Sequence, residues 1–140
     1  MKRFQFLLLL SVILILAAGC GTTIALFDQY AYTQATAIKV DALTVMDYSK
    51  DNYQEHENDI KQVDLKFREM IEYEKHRPQD TINTKMWLTM YDHNKRLYGG
   101  FINRWKEKGK LDTGFINDQK VSVGRAFDDI IDLEAKKIKK

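Results

Sequence analysis

The chain has 140 residues, with 22 basic and 20 acidic side chains, one cysteine and one proline. That length fits a single domain with a modest core. One cysteine excludes an internal disulfide framework and a cysteine-built zinc site, and the near balance of charge excludes a basic nucleic-acid binder.

Met1-Lys2-Arg3 is a short positive start, and Phe4 to Ala17 is an uncharged apolar run rich in Leu, Ile and Val. The run has the length of a signal-peptide core and falls short of the ~20 residues of a spanning helix. Leu16-Ala17-Ala18-Gly19-Cys20 closes it with small residues ahead of the cysteine. This stretch resembles the lipobox of bacterial lipoproteins, with Ala17 where leucine is commonest and Leu16 one place earlier. The resemblance covers residues 1–20. It implies a signal peptide over 1–19 that is cut between Gly19 and Cys20. It also implies a diacylglycerol on the Cys20 thiol and, in the usual case, an acyl chain such as palmitate on the new amine. Two or three chains hold a protein stably on a membrane, where one holds it weakly. Gly21 stands where aspartate would retain a lipoprotein in the inner membrane, so the resemblance implies an outer-membrane protein facing the periplasm in a Gram-negative cell, or the plasma membrane of a Gram-positive one.

Without residues 1–19 the chain has 20 basic and 20 acidic side chains. They are unevenly placed: residues 20–80 hold 7 basic and 12 acidic ones, and residues 81–140 hold 13 and 8. Packing of one half on the other accounts for this. Self-association, or a partner with an acidic surface, is the alternative.

Cys20 to Thr23 is a very short tether, and residues 24–140 read as one helical domain. From Ile24 to His76 there is neither Gly nor Pro. Phe27, Ala31, Ala35, Ile38, Ala42, Val45, Tyr53, Ile60, Val63, Phe67 and Met70 recur near the helical period of 3.6. One long helix, reaching roughly 75 Å at 1.5 Å per residue, or two collinear ones follow. Ser49-Lys50-Asp51-Asn52 prefers caps and turns, so a kink or a sharp reversal belongs there. Arg77-Pro78 ends this element.

Asp80 caps a short helix over 81–91, with Ile82, Met86, Trp87 and Met90 on its apolar side. Asp92 can cap a helix over 93–108, stopped by Gly109 with Lys106 and Lys108 in the last turn. Gly99 and Gly100 fall inside it at a cost of ~1 kcal/mol each against alanine. Close approach of another helix backbone, or a ligand cleft, would explain them. Asp112 caps the last helix, over 113–136, whose face is Phe115, Ile116, Val123, Ala126, Phe127, Ile130 and Leu133. The result is an all-α helical bundle, with one long first helix, straight or kinked, and about three shorter helices folding back on it.

Little in the chain points to catalysis. His56, His76 and His93 lack the spacing of a helical metal site, and Glu55-His56-Glu57 points its side chains in different directions. His56 lies on the apolar stripe, as a core or interface histidine would. The pairs Glu55 with Asp59 and Asp128 with Asp132 read as solvated helix faces rather than as an acid and a base. There is no phosphate-cradling glycine loop and no nucleophile elbow. No cofactor, metal or nucleic acid is implied. Trp87 and Trp105 belong to the core, while Tyr30 and Tyr32 could lie at a lipid interface. Lys136-Lys137-Ile138-Lys139-Lys140 either favours a helix dipole or touches anionic lipid. The sequence thus points to a non-enzymatic envelope protein, held to the membrane through lipid on Cys20, that binds or scaffolds another component or associates with itself. A helical carrier of a small apolar ligand is the alternative, and a small envelope enzyme or metal binder a third.

Overall fold

The computed structural model describes residues 25–78 and 80–139. Residues 1–24, where the signal peptide, its cleavage at Gly19 and Cys20, and the tether are expected, lie outside them. The described chain is all-α, five helices packed as a bundle with short 3-10 turns and no strand among them.

The first described helix, α1 (Gln29–Asp47), begins at Asp28, whose backbone is extended and whose Oδ1 accepts the Ala31 N–H at 2.9 Å. It buries Ala31, Ala35, Ile38, Ala42, Val45 and Met46. The small side chains of that face allow close packing by the last helix. Lys39 pairs with Asp128, and Asp47 pairs with Lys120 at 2.5 Å. The contact moves eight positions up one helix and eight down the other, so the two run antiparallel.

The expected long first helix does not form. After α1 the chain makes a 3-10 turn at Tyr48–Lys50, extends through Asp51 and Asn52, makes a second turn at Tyr53–His56 and returns as α2 (Glu57–His76). The sharp reversal wins for two reasons. A single rod would leave both apolar stripes in water, whereas folding them together buries Ile60, Val63, Phe67, Met70 and Ile71 against α1. The reversal also has partners for its backbone: Ser49 O accepts Leu111 N at 2.8 Å, Gly109 O accepts Tyr53 N at 2.9 Å, and Asp51 O accepts Trp105 Nε1 at 3.0 Å. Ser49 turns its hydroxyl onto Met46 O at 2.6 Å and is fully buried.

Arg77 is extended (φ −74°, ψ 125°), as a residue before proline prefers, and ends α2. Asp80 caps α3 (Thr81–Tyr91) as expected. The next helix starts later than its sequence suggests. Asp92 Oδ1 accepts Asn94 N at 2.9 Å, closing a local turn instead of capping a helix. As a result, α4 runs Tyr98–Lys108 with Gly99 and Gly100 in its first turn. Gly109 (φ 76°) stops it in the left-handed region, with its N–H on Trp105 O at 2.8 Å. Asp112 Oδ1 then caps α5 (Thr113–Lys136) through Gly114 N and Phe115 N.

Together α3 and α4 make one interrupted leg, so the chain passes along the bundle four times. Neighbouring legs pack in a ring: α1 on α2, α2 on α3, α3 on α5 and α5 on α1. Phe67 sits at the centre, with ring centroids 4.7 Å from Tyr98, 5.6 Å from Trp87 and 5.8 Å from Phe127. Trp87 and Trp105 are fully buried core residues, as expected. One pole holds the reversal and the 109–112 turn. The other gathers the start of α1, the α2–α3 junction and the end of α5.

Candidate functional site

That second pole contains an ion cluster built from helix ends. The last turn of α2 supplies Tyr73, Glu74 and Arg77. The cap and first turn of α3 supply Asp80 and Asn83, the cap of α1 supplies Asp28, and the end of α5 supplies Glu134 with Lys137 one turn on. Glu74, Asp80 and Glu134 are 1–3 % exposed, and Lys137 is 7 % exposed. Placing so many charged groups out of water is costly unless each is paired.

The pairing is dense. Arg77 Nη1 donates to Glu74 at 2.9 Å and to Glu134 at 3.2 Å, and lies 3.1 Å from Asp80 Oδ2. Arg77 Nη2 donates to Glu134 Oε1 at 3.1 Å and to the Leu26 carbonyl at 2.8 Å. Lys137 Nζ bridges Asp80 and Glu134, at 2.6 Å from each. Asn83 Nδ2 donates to the same two carboxylates at 3.2 and 3.0 Å. Glu134 Oε1 also accepts the Asp28 N–H at 2.7 Å, and Tyr73 donates to Asp28 Oδ2 at 2.6 Å. Every leg of the bundle is thereby tied at this pole.

The electrostatics follow from these contacts. Burial pushes the Glu74 carboxyl up to about 7, and the neighbouring Asp80 and Glu134 add to the rise against the pull of Arg77. Burial acts the same way on Glu134, but hydrogen bonds from Arg77, Lys137 and the Asp28 N–H overcome it and hold that carboxyl below its ordinary value. Asp28 is likewise held low by the Tyr73 hydroxyl and its backbone bonds, despite burial. The Tyr73 hydroxyl is pushed up to about 12, chiefly by its bond to Asp28.

Glu74, Asp80 and Glu134 each offer an oxygen within 4.8 Å of the others, a spacing that a cation could bridge. The chain fills that role itself, because Lys137 Nζ and the Arg77 guanidinium already engage these oxygens. A metal ion would have to displace an ammonium group held by two short bonds. The arrangement is suited to holding helix ends together.

The residues singled out from sequence are dispersed. Gly99 and Gly100 are backed by the 91–96 turn, since a Cβ would meet Tyr91 O at 2.1 Å and Lys95 O at 1.7 Å. Close backbone approach explains both: the end of α3 lies against Gly99, and the turn that follows it lies against Gly100. His56 stacks on Tyr48 at 4.7 Å and lies 3.3 Å from Asp59, at the edge of the core. Glu55 accepts from Asn52 rather than facing Asp59, and Asp128 pairs with Lys39. The ion cluster itself was missed. Its trace in the sequence is register: Glu74 continues the Phe67-Met70-Ile71 stripe, and Glu134 continues Phe127-Ile130.

Open grooves flank the bundle. One, of about 540 Å³, lies between α3 and α5 and is floored by Ile82, Met86, Met90, Leu97 and Ala126, with Lys85 and Asp129 among its lining. Another, of about 950 Å³, opens beside the ion cluster under Leu26, Phe27, Tyr73 and Pro78. Among the described residues no helix is long and apolar enough to cross a membrane. Compared with family models, with curated proteins and with solved structures, the chain matches none.

Proposed function

We propose that the chain is a lipid-anchored, non-enzymatic protein of the bacterial cell envelope whose helical body binds or scaffolds another envelope component. The observation that carries this reading is Leu16-Ala17-Ala18-Gly19-Cys20, with the first described helix starting at the Asp28 cap only a few residues later. Gly21 favours the outer membrane, facing the periplasm, in a Gram-negative cell. The buried carboxylates are engaged by Arg77 and Lys137, which suits them to holding the helix ends together. The groove between α3 and α5 is the surface best suited to a partner. Its methionines adapt to varied apolar shapes, and Lys85 and Asp129 could fix an orientation. The same groove could take a small apolar ligand, which is the carrier alternative.

Cys20→Ser tests the anchor: the protein should lose acylation by mass and leave the membrane fraction. An unchanged, membrane-bound, acylated product sinks the reading. A photo-crosslinker at Ile82 tests the groove in living cells. One reproducible protein adduct, absent when the crosslinker stands at Leu65 on α2, is the expected result. The same adducts from both positions would argue against a scaffold, and a small apolar molecule found by native mass spectrometry would favour the carrier.

A further inference from the structure

The pole that holds the ion cluster is also where the described chain begins, with the Leu26 carbonyl bonded to Arg77. Cys20 precedes Ala25 by five residues, so at about 3.5 Å per residue a lipid on its sulfur lies within roughly 18 Å of this pole. The same pole leaves large apolar side chains in water. Leu26 is 85 % exposed, Ile138 63 % and Tyr30 50 %. They come from opposite ends of the described chain, and both ends are held at this pole because the Asp28 N–H and Arg77 bind Glu134, one helical turn before Ile138. Pro78 is exposed beside them, over the open groove under Leu26. No large apolar side chain is strongly exposed at the far pole, within residues 48–56 or 106–113. The chain also finishes Lys136-Lys137-Ile138-Lys139-Lys140; Lys137 is engaged in the cluster, and Lys136 is exposed. Exposed apolar residues near the point of lipid attachment match a bilayer interface in both character and position, with Lys136 exposed on the last helix and Glu69 and Glu72 exposed along the same groove as Leu26.

We propose that the bundle docks end-on against the membrane that holds its lipid. Leu26, Tyr30 and Ile138 enter the headgroup boundary. The inference rests on Cys20 being lipidated and adds which face of the fold touches the bilayer. The ion cluster then acts as a brace. It fixes the first and last described segments into one apolar edge, so that two short segments contact lipid as a unit.

The test uses the full lipidated protein in vesicles of phosphatidylethanolamine and phosphatidylglycerol. Single cysteines at Leu26, Ile138 and, at the far pole, Lys110 carry an environment-sensitive fluorophore. All three positions are exposed, so the fold should tolerate them, and circular dichroism checks that it does. Lipids brominated on the acyl chain should quench most of the emission from positions 26 and 138 and leave position 110 bright. Emission equally bright at all three positions, with Cys20 acylated by mass, overturns end-on docking and leaves the anchor standing. An unmodified Cys20 removes the anchor, and the docking proposal with it.

Discussion

Arg77 and Glu134 stand 57 positions apart in the chain and share two hydrogen bonds, at 3.2 and 3.1 Å. The guanidinium that makes them sits between the end of α2 and the end of α5, 8 % exposed, and reaches back to the Leu26 carbonyl. Replacing it leaves Glu74 and Glu134 buried without their main partner. Arg77→Met should therefore cost about 3–5 kcal/mol in urea unfolding, as breaking a buried ion pair does. A loss under about 1 kcal/mol would mean that water reaches the cluster.

Acid should first strengthen the bundle and then weaken it. The Glu74 carboxyl titrates near 7 when folded and near its ordinary 4.5 when unfolded, so the folded state binds its proton more tightly. Stability contributed by this group therefore grows as pH falls from above 7 towards 4.5, up to about 3 kcal/mol. Glu134 and Asp28 are shifted the other way. Their contribution is present above the ordinary carboxylate values and is lost as pH falls through the lowered ones. The stability curve should peak near about pH 5. In Glu74→Gln the rise between about pH 8 and pH 5 should flatten; an unchanged curve would assign it to another group.

The glycines should separate cleanly by what surrounds them. Gly100→Ala places a Cβ 1.7 Å from the Lys95 carbonyl oxygen, and a backbone atom cannot step aside as a side-chain tip can. A loss of about 1–3 kcal/mol is expected, outweighing the gain in helix propensity. At Gly124, inside α5, a Cβ meets nothing nearer than Leu43 Cδ1 at 4.0 Å. Gly124→Ala should stabilise by roughly 0.5–1 kcal/mol. Thermal melts of both variants check the pair, and opposite signs are the point.

Much of this fold is written in local chemistry. Asp80, Asp112 and Gly109 mark helix ends by what their side chains or backbones can do within one turn, and each does it. The stripes of α1 and α2 are equally plain. Their junction is not, because the 3.6 period carries on in register through Ser49 and His56 while the reversal depends on bonds to Gly109, Leu111 and Trp105 far along the chain. Asp92 shows the limit of cap chemistry: the side chain that could start a helix closes a turn on Asn94 instead. The ion cluster was harder still. A glutamate on a helix reads as solvated until its partner is known, and Arg77 and Glu134 find each other only after four passes have been folded.

Two tyrosine hydroxyls give a further contrast. Tyr98 is fully buried, and its oxygen has no hydrogen-bond partner among the described residues. Burial pushes its ionisation well up, so the group stays a neutral phenol. Removing an unsatisfied hydroxyl frees a desolvation cost, so Tyr98→Phe should be neutral or stabilising by up to about 1 kcal/mol. Tyr73→Phe, which loses the 2.6 Å bond to Asp28, should destabilise by about 1–2 kcal/mol. Chemical denaturation of the two variants is the check. Clear destabilisation by Tyr98→Phe would instead point to an ordered water on that oxygen.

Four passes is an even number, and that parity has a use in the laboratory. Residues near Leu26 and near Ile138 share one pole, while Gly109 and Lys110 turn at the other, away from the ion cluster. A circular permutant that joins the first pair through a short glycine-rich linker and opens the chain between the second should keep all four legs and every contact of Arg77. It would also present its new ends from the opposite side of the molecule.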